Sequence, residues 1–164
     1  GVMVYARTTA AAAGLSRQIA ARQFHKEYLA VVQGCPAEDS AVLRDLLFWD
    51  RSKNKSFVVK RQRGGVKDAE LEYALLEALP ELSLLRVILH TGRTHQIRVH
   101  MQSIHHPVAG DPIYGAKNGV KAPRLMLHAW RLSFTHPRTG ERLSFCAEPP
   151  EAFARTVEKL RNHP

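Results

Sequence analysis

The sequence predicts an α+β fold: a mixed, mostly antiparallel sheet with flanking helices. Apolar runs are short and alternate with polar residues, which is typical of strands. Helical patterns separate groups of strands, without a strict strand-helix-strand repeat. Of the 164 residues, 45% are hydrophobic and 24% are charged, as in globular proteins. Since no repeat, linker or change of composition divides the chain, we expect residues 1–164 to form a single domain.

Strands dominate the predicted elements of the first half. β-branched and aromatic residues predict three strands, at 1–7, 26–33 and 57–60. The alanine-rich stretch 10–24 predicts a helix that Thr8 or Thr9 caps. Residues 37–54 are predicted to be mostly loop, with a short turn or helix at 42–48.

The second half predicts a hairpin, then a helix between loops. Residues 69–79 and 83–89 form the predicted hairpin, with its turn at Pro80. A helix is expected over 94–104, where an apolar face forms at helical spacing and Arg98 lies on the polar side. The apolar face consists of Ile97, Met101 and Ile104. A strand at 125–134 and a helix at 151–161 complete the prediction.

Positive charge is concentrated in two windows. The net charge is +9, from 24 basic and 15 acidic residues. Residues 51–67 carry seven basic side chains and no acidic one, and residues 85–136 carry seven with a single acid, Asp111. Such blocks favour a polyanionic partner, with nucleic acid first. The alternative is a basic surface that serves only solubility.

Several other classes of site find little support. Cys35 and Cys146 are far apart and lack CxxC spacing, which favours a reducing compartment without a disulfide framework. No phosphate-binding motif of a nucleotide cofactor is present, and no apolar run reaches the ~18 residues of a membrane span. Histidines recur every five residues from His90 to His105, but a helix turns successive ones about 140° apart. A metal-dependent hydrolase is therefore a minor alternative, which elemental analysis would test.

The segment Thr91–His100 is the densest polar stretch. Gly92 permits close approach of a ligand to the backbone, and Arg93 and Thr94 lie where the helix begins, so that N–H groups can meet an anion. Arg98 follows one turn later and needs a carboxylate or phosphate partner if it points inward. The alternative is a solvated helix start with a structural salt bridge.

Three segments together resemble the RluA-type pseudouridine synthases. HTGRTHQIRVHMQSIHHPVAGDPIYG at 90–115 is similar to the family pattern TGRxHQ(I/L)RxH, a short helix and HPIxGDxxYG. Residues 1–33 resemble a GLLLFAKT strand, a helix and KxYLAxVxG. LHAWRLSFTHP at 127–137 resembles LHAxxLxFxHP. The order and spacing hold across essentially the whole chain.

The resemblance implies an RNA-modifying isomerase. Family members have a largely antiparallel sheet with a cleft for RNA, and they convert uridine to pseudouridine in structured rRNA or tRNA. They use no cofactor and no metal. We therefore expect structured RNA as the partner, no membrane and no nucleotide cofactor, a cytoplasmic location and a monomer.

The resemblance also assigns roles to residues. Tyr28 matches the active-site tyrosine, which packs on the uracil and could assist in removing the C5 proton. Arg98 matches the arginine that pairs with the catalytic carboxylate. Leu125 and Leu127 would line the base pocket, although which of them touches the base stays open. The RNA-contacting residues would be Arg93, Thr94, His95 and Gln96, to which the basic window adds Arg61 and Arg63.

One family element lies outside the sequence. The family nucleophile is an aspartate in an HRLDxxTSG segment, directly before the GLLLFAKT strand, and Gly1 matches the last glycine of that segment. We therefore expect an N-terminally truncated catalytic domain, with its aspartate upstream of Gly1 and no activity alone. Asp111 matches a different family position, so it is not assigned as the nucleophile. The alternative is a catalytically inactive RNA-binding module with the same fold.

Overall fold

An antiparallel sheet of seven strands, with three helices packed against it, makes up the structure of residues 1–161, which the computed structural model describes. The strands are β1 (His25–Gln33), β2 (Ser40–Asp50), β3 (Lys55–Val59), β4 (Val66–Ala78), β5 (Leu82–Leu89), β6 (Leu127–Thr135) and β7 (Arg142–Cys146). The helices are α1 (Thr9–Ala20), α2 (Gln96–Ser103) and α3 (Glu151–Arg161). The spatial order is β3-β2-β4-β5-β1-β6-β7. This architecture confirms the predicted α+β class.

The central strands hold the core: β1 buries side chains on both faces, and β4 and β5 bury them mainly on one. Val31, Leu71 and Leu85, from β1, β4 and β5, are fully buried. Phe153 and Val157 of α3 join the same cluster, as do Ile97 and Met101 of α2. Each buried side chain of this size contributes about 1.5–3 kcal/mol relative to an exposed one.

Cross-strand pairs show that α2 covers the same sheet face as Tyr28. Tyr28 lies opposite Val87, and Val87 lies opposite Tyr73, so these side chains share a face. Tyr73 in turn lies opposite Ala41 of β2, and Asp45, four residues along the same strand, approaches His100 of α2.

Local signals explain the helix boundaries. The Thr8 hydroxyl accepts a hydrogen bond from the N–H of Ala11 at 3.2 Å, which caps α1 as predicted. His95 adopts a left-handed conformation (φ 56°) directly before α2, so this helix begins two residues later than the predicted Thr94. Ile97 and Met101 are buried, which confirms the predicted apolar face.

Residues 42–48 correct the sequence prediction, because they lie within β2 rather than in a loop, short turn or helix. This strand pairs with β4 from Ser40 to Phe48 and with β3 from Leu46 to Asp50. Arg44 and Asp45 interrupt the apolar pattern of the segment. The neighbouring strands β3 and β4 supply the hydrogen bonds that hold β2 extended, and both follow it in the sequence.

The segment 1–7 and the edge strand β7 depart from the prediction as well. The segment 1–7 is not a strand, although the Val2 N–H donates to Ala129 O at 2.9 Å. Because β6 already pairs with β1 and β7, the segment cannot form a ladder with β6, and it packs through Val2 and Val4 instead. The short edge strand β7 escaped prediction because none of its residues is buried.

The segment 104–126 connects α2 to β6 and carries Asp111. Its backbone is bound to β1, because Ala109 N–H donates to Val31 O at 2.8 Å. The Gln33 side chain clamps it again, donating to Val120 O and accepting from Val120 N–H, both at 3.0 Å. Gly110 has φ +68°, and a Cβ there would lie 2.0 Å from Arg124 O.

No helix in residues 1–161 is long and apolar enough to cross a membrane.

We expect Gly110→Ala to destabilise the fold far more than Gly140→Ala. Both glycines have positive φ, but a Cβ at Gly140 meets no atom within 4 Å. The control substitution should therefore cost only the left-handed backbone term, about 1–2 kcal/mol, whereas Gly110→Ala adds a backbone clash and should cost roughly 3 kcal/mol or more. Urea unfolding of the two variants measures the difference. Equal losses would show that the segment adjusts freely around Gly110.

Candidate functional site

A buried ion pair lies between α2 and the segment that follows it. Arg98 Nε donates to Asp111 Oδ2 at 2.6 Å, and Arg98 Nη2 donates to Asp111 Oδ1 at 2.7 Å. The carboxylate is fully buried, and the arginine side chain is 11% exposed. This two-bond geometry is the strongest form of the arginine–carboxylate pair. Arg98 therefore has the carboxylate partner that the sequence required, but the partner is Asp111.

Asp111 has no free oxygen for other chemistry. Besides Arg98, Oδ1 accepts from the N–H groups of Ile113 and Tyr114, at 2.8 and 2.9 Å. Burial alone would raise the pKa of Asp111, but Arg98 and the two N–H donors outweigh burial and hold that pKa below its usual value. Asp111 is thus an ionised structural anchor, in keeping with its exclusion as a nucleophile.

Tyr114 extends this anchor to the start of α2. Its ring lies under the Arg98 guanidinium, 4.9 Å from centroid to Cζ. Its hydroxyl accepts from Ser56 N–H at 2.6 Å and lies 3.1 Å from His95 Nδ1. The Ser56 hydroxyl in turn donates to Thr94 O at 2.6 Å. These contacts fix the left-handed backbone of His95, a conformation that costs of order 1–3 kcal/mol.

Gln96, one of the predicted RNA contacts, is buried beneath the loop that precedes α2. It is only 2% exposed, and its amide bonds entirely within the protein. Its oxygen accepts from the Thr91 hydroxyl at 2.7 Å and from Arg93 N–H at 2.9 Å, while its nitrogen donates to Glu70 O at 3.0 Å. Because the side chain is buried and its amide is fully hydrogen-bonded, Gln96 holds the 91–95 loop in shape.

Arg93 and Thr94, by contrast, line an open groove. The groove has a volume of about 350 Å³ and lies between the β2–β3 region and the loop before α2. Its floor includes Leu47, and Trp49 stands in its wall. Three cationic side chains, Arg51, Lys67 and Arg93, line it, and no acidic residue of the described range 1–161 does so. A groove of this composition suits a phosphate-bearing ligand.

Arg61 and Arg63 lie apart from this groove. Both are exposed, in the loop between β3 and β4. The Arg63 guanidinium stacks over Phe48, 4.9 Å from the ring centroid, and Phe48 points to the opposite side of β2 from Leu47. The structure therefore does not bring Arg61 and Arg63 together with Arg93 in one groove.

Tyr28 lies on β1 among apolar neighbours. Burial raises its pKa above the usual value, so the phenol is neutral at pH 7. Tyr28 lies opposite Ala129 of β6, and two residues away Ala30 lies opposite Leu127, so Leu127 shares the face of Tyr28. Leu125 precedes β6 and is also half-buried against the core. No hydrogen bond joins Tyr28 to Arg98 in the described part of the chain.

Lys26 is a candidate that sequence reasoning missed. A Cβ on Gly92 would lie 3.2 Å from Lys26 Nζ, so the ammonium group sits against the loop that carries Arg93. Burial, and then the positive charge of Arg93, lower the pKa of Lys26. Its position two residues before Tyr28 on one strand was the available signal. Lys26 thus places positive charge between Tyr28 and the groove.

The recurring histidines have separate partners. His90 approaches Glu72, His100 approaches Asp45, and His106 Nδ1 lies 2.8 Å from Gln33 O. Within residues 1–161 no three histidine, cysteine, aspartate or glutamate side chains are grouped as metal ligands. The spacing of five therefore disperses these side chains rather than gathering them.

Sequence comparison identifies a family. Residues 1–103 match the profile of the RNA pseudouridylate synthases. A ribosomal large subunit pseudouridine synthase D of Nitrosomonas europaea is 39% identical over 100% of this chain and 49% of its own length. An uncharacterised RNA pseudouridine synthase of Bacillus subtilis, YlyB, is 36% identical over 99% of this chain and 53% of its own length. The chain thus spans about half the length of these curated relatives.

Solved structures agree with this result. Human RNA pseudouridylate synthase domain containing 1 superposes with a TM-score of 0.74 at 26% identity, covering 96% of this chain and 74% of that one. Human RNA pseudouridylate synthase domain containing 4 gives a TM-score of 0.80 at 23% identity, covering 98% and 71%, and so supports the fold. With the profile match over most of its length, the chain belongs to the RNA pseudouridylate synthase family.

Proposed function

We propose that this chain is the main part of the catalytic domain of an RNA pseudouridine synthase, which isomerises uridine to pseudouridine in structured RNA. The names of two relatives direct the proposal to large-subunit rRNA first, with tRNA as the alternative. The proposed enzyme acts in the cytoplasm as a monomer and without a cofactor. Its nucleophilic aspartate belongs to a segment upstream of Gly1.

The observation that carries the proposal is the position of Gly1 relative to Tyr28. A Cβ on Gly1 would lie 2.6 Å from Ala129 O and 2.7 Å from Ala129 N, so the two residues touch. Ala129 is the β6 residue opposite Tyr28. A residue that precedes Gly1 is therefore attached beside the proposed uracil-packing tyrosine, where a nucleophile would be needed.

The reaction exchanges one bond to the sugar for another. The C1′–N1 bond breaks, the uracil turns, and a C1′–C5 bond forms, while C5 loses a proton and N1 gains one. The target base must leave its stack, which calls for an apolar pocket. Tyr28 would supply one wall of that pocket, and Leu127 is the better placed of the two leucines because it shares the face of Tyr28.

Arg98 would act on the upstream carboxylate through Nη1, the nitrogen that Asp111 does not engage. Asp111 engages Nε and Nη2, and within residues 1–161 no hydrogen bond is recorded for Nη1. A guanidinium held on one side by Asp111 can present Nη1 to a second carboxylate and keep it ionised. Asp111 would thus be a positioning residue for Arg98.

Tyr28 would act through its ring, which packs on the uracil, and through its hydroxyl. Since burial raises its pKa, the phenolate needed for a general base is disfavoured at pH 7. Transfer of the C5 proton through the phenol would require that the proton be passed on in the same step. Hydrogen bonding and proton transfer both need the hydroxyl, whereas packing on the uracil needs only the ring.

The remaining basic residues would hold the RNA backbone. Arg93 and Thr94 line the groove before α2, and His95 contacts Trp49 in the groove wall. Lys26 lies against Gly92 of the same loop, two residues from Tyr28. Arg61 and Arg63 would contact phosphates at a separate place, in the loop between β3 and β4. Since burial and then Arg98 lower the pKa of His95, its ring should be neutral at pH 7 and contact RNA by hydrogen bonding or stacking.

Conversion of a uridine-containing RNA should require the upstream segment. The 164-residue chain should give no pseudouridine, and a chain extended upstream through the HRLD-like segment should give robust turnover. In the extended chain, replacing the upstream aspartate by asparagine should abolish conversion and leave RNA binding intact. Release of tritium from C5 of labelled uridine measures the reaction.

Two results would contradict this proposal. Turnover by the 164-residue chain alone would place the nucleophile within it. An extended chain that binds RNA without any conversion would instead favour the inactive RNA-binding module. Far-UV circular dichroism of each chain provides the control that the compared proteins are equally folded.

Tyr28→Phe in the extended chain should preserve RNA binding and lose most turnover. The ring still packs on the uracil, but the hydroxyl that would transfer or stabilise charge is gone. Removing a proton-transfer group typically costs 10²–10⁴-fold in kcat. Tyr73→Phe is the matched control. The Tyr73 hydroxyl donates to Glu38 O, at a distance of 3.3 Å, and this hydrogen bond lies outside the proposed pocket. Wild-type turnover of Tyr28→Phe would limit Tyr28 to packing.

A further inference from the structure

Trp49 lies in the wall of the basic groove, and its indole ring packs against the His95 ring. The ring contacts His95 in a T-shaped arrangement, with centroids 5.3 Å apart and an interplanar angle of 87°. The side chain is half-buried, so part of its surface faces the groove. Among the described residues Trp49 stacks face to face with no ring. The indole is therefore fixed in place and can accept a flat partner.

The charges around Trp49 are positive and unneutralised. Arg51, Lys67 and Arg93 line the groove, and none of the acidic side chains that the structure describes does so. The nearest acid in sequence, Asp50, turns to the β2–β3 turn, where its Oδ1 accepts from the Ser52 hydroxyl at 2.7 Å. A flat aromatic ring beside several cations is the arrangement with which proteins hold unpaired nucleotides.

The groove is separate from the proposed uracil pocket, although the two communicate. The ring of His95 lies between Trp49 and Tyr114, 5.6 Å from Tyr114, which lies under Arg98. On another side, Gly92 in the groove wall touches Lys26, two residues from Tyr28. A nucleotide in the groove would therefore be a neighbour of the target and not the target itself.

We propose that the groove is a subsite for an unpaired nucleotide flanking the target uridine, with its base stacked on Trp49 and its phosphate held by Arg51, Lys67 and Arg93. This inference rests on the proposed RNA substrate but is independent of catalysis. Stacking makes the subsite tolerant of base identity, since every base has a π-face. It predicts that the enzyme prefers a target with an unpaired neighbour.

The chain offers a matched pair of variants, because Trp49 and Trp130 are its two tryptophans. Trp130 lies on β6, where the Arg131 guanidinium stacks over it at 3.8 Å. Trp130→Phe leaves Trp49 as the sole tryptophan, and Trp49→Phe leaves Trp130. Each variant is titrated with a short single-stranded oligoribonucleotide while emission is recorded, and anisotropy of a labelled oligonucleotide reports binding in parallel.

We expect the oligonucleotide to quench Trp49 emission strongly and leave Trp130 emission nearly unchanged. Inorganic polyphosphate, which has charge but no bases, should bind without quenching Trp49. Trp49→Ala should weaken oligonucleotide binding by roughly five- to a hundredfold, and Trp49→Tyr should restore most of the affinity. Quenching is measured in Trp130→Phe, which retains the Trp49 side chain. The test therefore still applies if Trp49→Ala fails to fold.

Three results would overturn the subsite. In the first, anisotropy shows that the oligonucleotide binds, but Trp49 emission is not quenched. In the second, polyphosphate quenches Trp49 as strongly as RNA does. In the third, anisotropy detects no binding of the oligonucleotide. The first two leave the proposed isomerase standing, because turnover of structured RNA does not depend on them. Loss of turnover in the extended chain with Trp49 quenching retained would instead contradict the isomerase and leave the subsite standing.

Discussion

The buried pair of Arg98 and Asp111 determines where the other residues of the site can lie. It joins α2 to the 104–126 segment through two hydrogen bonds, at 2.6 and 2.7 Å. A buried charge left alone costs several kcal/mol, so neither partner can move without the other. The N–H groups of Ile113 and Tyr114 donate to the same carboxylate. Together these hydrogen bonds hold a loop rich in glycine and proline in one conformation.

From this support, contacts extend in two directions. Tyr114 carries the constraint to Ser56 of β3 and to His95, and His95 in turn borders Trp49. On the other side, the segment is bound to β1, the strand that bears Tyr28. The basic groove and the proposed uracil pocket are thus parts of one scaffold. This organisation explains how the proposed RNA cleft can be rigid although loops form much of its wall.

The sequence predicted the elements whose signals are local. The spacing of Ile97 and Met101 identified α2, and Thr8 identified the start of α1. The need of Arg98 for an anion was also predictable, but its partner was not, because Asp111 reaches it only through the folded loop. Lys67 and Trp49 meet in one groove because β2 pairs with β4, and β2 itself was missed. Likewise, the internal bonding of Gln96 depends on Glu70 from a distant strand.

The measurement that tests this account most directly is a double-mutant cycle on the central pair. Arg98→Met and Asp111→Asn, singly and together, are compared with the unaltered chain by urea unfolding. Each single substitution should lower the free energy of unfolding by about 3–5 kcal/mol, since it leaves a buried group without its partner. The double variant should lose less than the sum of the two, with a coupling energy of about 2 kcal/mol or more. Strictly additive losses would contradict the account, because the pair would then not hold the site together.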